Sequence, residues 1–387
     1  MSHPPRLRLL LLIAAVGTLG LACKEPNPVF DPNLPPPGES CVRGIETTEP
    51  FNVAYNPDAI DVLFVIGNAP AAEPLQRRLS SAMPSFIAGL RGKGLDFHVG
   101  TVSGDTSNPN TAGSLLTGGN GVAGCAGAPR FVTSAMGEDA ALFATCNVQI
   151  GNNGIAAQEH LEAAQIALTV RAGEPITEGG NQGFLRPEAR LLVIFASDRD
   201  DCSNANLDLA GAPNSVTACE WKRDQLLPVG EALNSLLSLK DDPDRVAIGL
   251  LGGGESAARL TSPDVLSPVC KDAGNASIYP AYRLLDAVEF AAPWGYFESA
   301  CSSSYAGGLG RMLDRIATPA PITLCPAARL AAPPIEVRAG QDTVLSTGTD
   351  GYVFLGRTDD CPNGAVSISP NALTSTTQRI EIDFCGL

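Results

Sequence analysis

Histidine is almost missing from this chain. There are three in 387 residues, and only His98 and His160 lie beyond the N-terminal leader. Histidine is the side chain whose ordinary pKa suits proton transfer near neutrality, so little general-base chemistry is on offer. His98 sits in an alternating strand pattern and reads as a strand residue without a catalytic role. No Gly-x-Ser-x-Gly elbow presents a serine nucleophile. No Cys-x-x-Cys occurs either, which argues against structural zinc. Basic runs are absent too. Lys plus Arg number 26 against 41 Asp plus Glu, and the leader takes two of the arginines, leaving 24 against 41, or −17. Such a surface repels nucleic acid. The longest apolar block, residues 9–22, is fourteen long, short of the roughly twenty residues that span a bilayer. The expectation from these absences is a chain that is not an enzyme, takes no cofactor and binds no nucleic acid.

What is present begins with export. Arg6 and Arg8 precede the short apolar block, and small residues follow, as in a secretory signal over residues 1–22. Leu19-Gly20-Leu21-Ala22-Cys23 resembles a bacterial lipobox, although Gly20 stands where a leucine is usual. The resemblance implies lipidation at Cys23 and attachment to the cell envelope, with inner and outer membrane left open. Residues 23–58 contain Pro26, Pro28, Pro32 and Pro35-Pro36-Pro37 and read as an extended tether.

Eleven cysteines are present, and ten remain once Cys23 is set aside. An even count in an exported chain reads as disulfides. Sequence does not fix connectivity. Nearness in the chain favours Cys125–Cys146, Cys202–Cys219, Cys270–Cys301 and Cys361–Cys385, leaving Cys41–Cys325 by subtraction.

Two apolar runs dominate the body. The first, Ala59-Ile60-Asp61-Val62-Leu63-Phe64-Val65-Ile66, reads as a strand buried on both faces and stops at Gly67-Asn68-Ala69-Pro70. A helical face follows through Leu75, Leu79, Met83, Phe86, Ile87 and Leu90. The second run, Arg190-Leu191-Leu192-Val193-Ile194-Phe195-Ala196, ends in Ser197-Asp198-Arg199-Asp200-Asp201. Between them lie a strand near residues 95–102, a Gly- and Asn-rich excursion over 103–154 with a short edge strand at 130–133, and a helix near 156–171. A helix broken at Pro228, a strand at 246–251, helices at 281–290 and 305–316, and a strand near 297–300 complete the pattern. Alternating strands and helices predict a doubly wound, mostly parallel α/β sheet.

The two strand motifs together resemble the von Willebrand factor A (vWA) family over residues 59–319. In that family the first strand is followed by Asp-x-Ser-x-Ser, which helps hold a divalent metal. Here those positions are Gly67, Ala69 and Ala71. A threonine that contacts the metal aligns with Asn152, ahead of a helix carrying Glu159. The terminal acid of the later strand is retained as Asp198. The resemblance therefore implies a scaffold with a degenerate metal site. Hard cations need a shell of oxygen ligands, and Gly67, Ala69 and Ala71 offer none. Asp198 then reads as a turn cap. The other reading is a displaced Ca²⁺ site built from Asp198, Asp200 and Asp201. The adjacent acids Asp200 and Asp201 also fit the pair that glycosidases use, but side by side they read as a solvated loop.

After Pro319, Pro321 and Pro326, residues 320–387 change to short alternating runs, including 335–338, 352–355 and 379–384, which predict a small antiparallel β region held by a disulfide. The functional expectation is a cell-envelope lipoprotein that binds a protein partner without metal, through loops 103–154 and 199–220. The other is a Ca²⁺- or Mg²⁺-dependent adhesion receptor with its site rearranged around Asp198.

Overall fold

The computed structural model describes residues 45–386, apart from 54–55, 120–123, 204–218, 220–221, 255–266, 272–275, 318–320, 331–332, 341–342, 375–376 and 378. The signal, Cys23, Cys41 and most of loop 199–220 lie outside the described residues.

Strands β1 (Ile45–Asn52), β2 (Ala59–Ile66), β3 (Asp96–Ser103), β4 (Phe131–Thr133), β5 (Arg190–Ala196), β6 (Val246–Gly252), β7 (Cys270–Lys271), β8 (Ser277–Ile278) and β9 (Gly295–Ser299) come first in the chain. They alternate with helices α1 (Glu73–Gly92), α2 (Asp139–Asn147), α3 (His160–Leu168), α4 (Val229–Leu237), α5 (Tyr282–Phe290) and α6 (Ala306–Ala317). Six strands form one mixed sheet in the order β4-β3-β2-β5-β6-β9. All its pairings are parallel except that of β4, which runs antiparallel along β3.

The sheet is covered on both faces, which is why β2, β5 and β6 are buried at every position. Ile60, Val62, Phe64 and Ile66 face α1, α2 and α6. Leu63 and Val65 face the other way, against Leu161, Ala164 and Leu168 of α3 and against α4 and α5. The six apolar positions expected on one face of α1 are all buried. Arg78, on the flank of that helix, donates to the carbonyls of Ala300 and Ser302 and lies over the Tyr305 ring. Helix α2 falls inside the stretch that reads as a glycine-rich excursion. Its apolar contacts are mostly alanines, Ala140 and Ala144, too small to raise a strong periodic signal.

The remaining strands are β10 (Ile322–Leu324), β11 (Glu336–Ala339), β12 (Thr343–Val344), β13 (Tyr352–Gly356), β14 (Ala365–Ile368) and β15 (Arg379–Gly386). They make two antiparallel sheets, β1-β15-β11-β12 and β10-β14-β13, around a core of Val337, Val366, Ile368, Ile380, Ile382 and Phe384. The lobe also takes in part of the expected tether. Strand β1 lies within the expected tether, yet it pairs with β15 along its whole length, from Ile45 opposite Gly386 to Asn52 opposite Arg379. The β lobe is therefore built from both ends of the described chain, and the α/β body is inserted between β1 and β10.

Both crossings between lobe and body are held by one buried side chain. Arg190, at the start of β5, is 1% exposed. Its guanidinium donates to the carbonyl of Pro57, where the chain enters the body, at 2.6 Å, and to that of Ile316, where it leaves. Both crossings therefore lie at the end of the sheet where β2 and β5 begin. The parallel strands stop at the opposite end.

Disulfides join Cys125 to Cys146, Cys202 to Cys219 and Cys270 to Cys301. In the lobe the pairing differs from the expectation: Cys325 is joined to Cys361, not to Cys41. Cys385 is also disulfide-bonded, but not to Cys361. Cys325 directly follows β10, which pairs with β14, and Cys361 lies in the turn leading into β14. Strand pairing, rather than nearness in sequence, brings these two together.

Candidate functional site at the sheet apex

Ligands of open parallel sheets bind where the strands end. At that end, Gly67 and Ser197 follow β2 and β5, whose last residues Ile66 and Ala196 are partners in the sheet. The Gly67 N–H donates to the Ala196 carbonyl at 2.8 Å. The loop after β2 is then fixed by two glutamines. Gln76 of α1 donates to the carbonyls of Gly67 (2.9 Å) and Gly151 (2.7 Å), and its own carbonyl accepts from the Gly151 N–H. Gln158 accepts from the Asn68 N–H, while Gly154 donates to the Asn68 carbonyl. The segment carrying Asn152 is thereby drawn over the loop holding Gly67 and Ala69.

Two other side chains occupy the apex. The first is His160, at the start of α3, with no exposed surface. A Cβ placed on Gly67 would lie 3.6 Å from its Nε2, and one on Gly104 would lie 3.0 Å from the ring. A side chain at Gly104 would crowd the imidazole. Among the described residues neither ring nitrogen has a hydrogen-bond partner. Burial pushes its pKa down to about 4, against the pull of Asp201 and Asp198, so the ring is neutral at physiological pH. The second is Arg199. Its Nη2 lies 2.8 Å and its Nε 3.3 Å from the two oxygens of Asp198, which has no exposed surface. Nη1 continues to the carbonyl of Ala156 at 3.2 Å.

The other two acids face elsewhere. Asp201 accepts from the Leu161 N–H at the start of α3 (3.0 Å), from Ser203 through both its N–H (3.0 Å) and hydroxyl (2.6 Å), and from the Arg283 guanidinium (3.1 Å). Asp200 accepts from the backbone N–H groups of Asp201 and Arg283, the latter at the start of α5. Burial drives the Asp200 pKa up to about 7, against the pull of those two N–H groups. The acidic loop is a clasp. It caps two helices, whose N-terminal N–H groups favour carboxylate oxygens, and ties them to β5.

These residues do not fit a divalent cation. Gly67, Ala69 and Ala71 bring no side-chain oxygen, Asp198 is chelated by a guanidinium, and Asp200 and Asp201 point to different helix ends. Among the described residues no group of three or more His, Cys, Asp or Glu is arranged to hold a metal. Asp198 is an ion-pair partner rather than the expected turn cap. His160, Arg199 and Arg283 carry the arrangement, and sequence reading passed over all three. Only Arg199 left a signal there, as the cation adjoining the retained acid. His98 is a structural residue. Its Nδ1 lies 2.9 Å from the Phe184 carbonyl and its ring packs on Phe131.

Beside the apex is a cleft of about 740 Å³ between α3 and the segment after β3. Part of the 103–154 excursion forms one of its walls, through Thr106, Ser107 and Ala112.

No family model and no curated protein matches the chain. Among solved structures it is similar to the pilus adhesin SpaC of Lactobacillus rhamnosus GG in its open conformation. The TM-score is 0.32 at 10% identity, over 84% of this chain and 38% of that one. A second crystal form of the same adhesin gives 0.30 at 9% identity, over 84% and 39%. The chain spans about two fifths of the adhesin it matches, and a likeness this low carries no argument about function.

Proposed function

We propose that this protein is an exported lipoprotein, anchored to the cell envelope through Cys23, that binds a protein partner without metal or catalysis. In this reading the body is a vWA-like domain whose metal site has been replaced by protein. The observation that carries it is the pairing of Asp198 with Arg199 above a buried, neutral His160. A guanidinium supplies the positive charge that a divalent ion would bring, but its donors are directed inward and leave no open coordination position for a partner's carboxylate. Recognition then falls to loop shape at the apex. The placement of both crossings at the opposite end supports this, because neither crossing enters the apex loops.

The test is photo-crosslinking in cells of the full-length protein, with a benzophenone side chain at exposed Asn153 near the apex or at Val344 in the lobe. A discrete protein adduct from Asn153, absent from Val344 and unchanged by EDTA, is expected. Cys23→Ser should move the protein from the membrane to the soluble fraction. An adduct abolished by EDTA would support the metal-dependent adhesion receptor instead. Retention of Cys23→Ser on membranes would overturn the anchor.

A further inference from the structure

Four bridges take eight of the eleven cysteines. Cys385, in the last strand, is oxidised as well. Only Cys23 and Cys41 remain to meet it, and both lie outside the described residues.

Strand β15 shows which way the Cys385 sulfur points. Ile380, Ile382 and Phe384 turn into the lobe core. A strand alternates its side chains between two faces, so Glu381, Asp383 and Cys385 share the other. Arg338 lies on that face and pairs with Glu381 and Asp383 at 3.0 Å each. Cys385 therefore turns away from the sheet β10-β14-β13, beside which Cys325 and Cys361 are joined.

The register of β1 separates the two candidates. Ile45 lies opposite Gly386, and Glu46 lies opposite Cys385 itself. Antiparallel partners have Cα atoms about 4.5–5.5 Å apart, and a disulfide needs roughly 4.4–6.8 Å. Cys41 is four residues ahead of Ile45, and such a stretch reaches at most about 14 Å. It is long enough to return to the end of β15 and too short to go far from it. Cys23 is 22 residues ahead of Ile45, and the intervening run holds Pro26, Pro28, Pro32 and Pro35-Pro36-Pro37. Proline keeps such a run extended, and the chance that two points meet falls as the loop between them grows.

We propose that Cys385 is joined to Cys41, and that this bond latches β1 to β15 at the end where the chain enters the lobe. Each thiol gives up a proton, and two electrons pass to an exported protein disulfide, which is reduced to a dithiol as the new S–S bond forms. The latch matters because β1 is a mostly exposed edge strand whose partner among the described residues is β15 alone. Strand ends fray first, and a pull on the N-terminal side of β1 opens the ladder pair by pair from Ile45. A covalent link at that end stops the first step. The pairing does not depend on the binding role proposed above. It bears on the anchor, because a sulfur in a disulfide carries no thioether, and this pairing leaves Cys23 for the lipid.

Tryptic mapping of the mature protein, purified without reductant and alkylated, tests the pairing. Cleavage after Lys24, Arg43 and Arg379 puts Cys23, Cys41 and Cys385 on separate peptides. Peptides 25–43 and 380–387 are expected as one species, two hydrogens lighter than their sum, which a reductant splits. Recovery of 380–387 in alkylated form would overturn the pairing and leave the anchor intact. Recovery of 380–387 joined to the Cys23 peptide would overturn both. Hydrogen exchange tests the latch. In Cys41→Ser with Cys385→Ser, the amides of β1 should exchange at least tenfold faster, while those of β2 and β5 keep their rates. Unchanged exchange in β1, or an equal rise in β2 and β5, would overturn the latch.

Discussion

Replacing Arg199 with Met should destabilise the protein by about 3–5 kcal/mol, the usual cost of leaving a buried charge without its partner. Asp198 has no exposed surface, and among the described residues its carboxylate is held only by the two nitrogens of Arg199. Methionine keeps most of the side-chain volume, so the loss reports the charge rather than a cavity. Adding Asp198→Asn should restore more than half of it, because a neutral amide no longer needs a cation. Urea denaturation of both single variants and the double variant gives the coupling. Additive losses would mean that the two residues act separately and that the guanidinium is not neutralising this acid.

Arg190→Ala should cost a similar amount for a different reason. The guanidinium is buried, and its hydrogen bonds to Pro57 and Ile316 hold the two segments of chain that join lobe to body. A hydrogen bond from a charged group contributes about 1.5–3 kcal/mol, and the carbonyls it leaves are buried without a donor. Arg190→Lys keeps the charge but presents one compact ammonium in place of a fork, so it should recover only part of the loss. Full recovery by lysine would mean that the two-crossing clamp is not what Arg190 contributes.

The α/β body was readable because its strands are buried on both faces and its helices are strongly periodic. The run 62–66 and the helix face from Leu75 to Leu90 leave little choice of element. Strand β1 gave no such signal. It is an edge strand, mostly exposed, and carries Pro50, which an edge tolerates because its N–H need not enter the ladder. Its partner β15 lies more than 300 residues away, and no local pattern announces a pairing of that range. The disulfide expectation failed for the same cause. Nearness in sequence served the cysteines of the body, whose loops close locally, but strand order governs those of the lobe.

The apex shows a further limit. The side chains at Gly67, Ala69, Ala71, Asn152 and Asp198 could be read from the sequence, and with them the oxygens each position offers. What fills the space could not. His160 reaches the apex because α3 begins there, and its ring packs closely on Gly104, a relation between two distant positions. Arg199 adjoins Asp198 in the chain, but only the structure turns its guanidinium back onto that carboxylate. Asp200 and Asp201 looked like a solvated acidic loop. They are buried because two helix ends and Arg283 satisfy them.

The central claim of the proposed function is that protein groups stand at the sheet apex in place of a metal. Thermal melting of the mature protein in EDTA, Mg²⁺, Mn²⁺ and Ca²⁺ tests it most directly. A ligand at 100 times its dissociation constant adds about 2.7 kcal/mol to stability, which a melt resolves easily. The predicted result is one melting temperature in all four conditions. A Ca²⁺-dependent rise that EDTA reverses and Asp198→Asn removes would contradict the account and restore a cation to the apex.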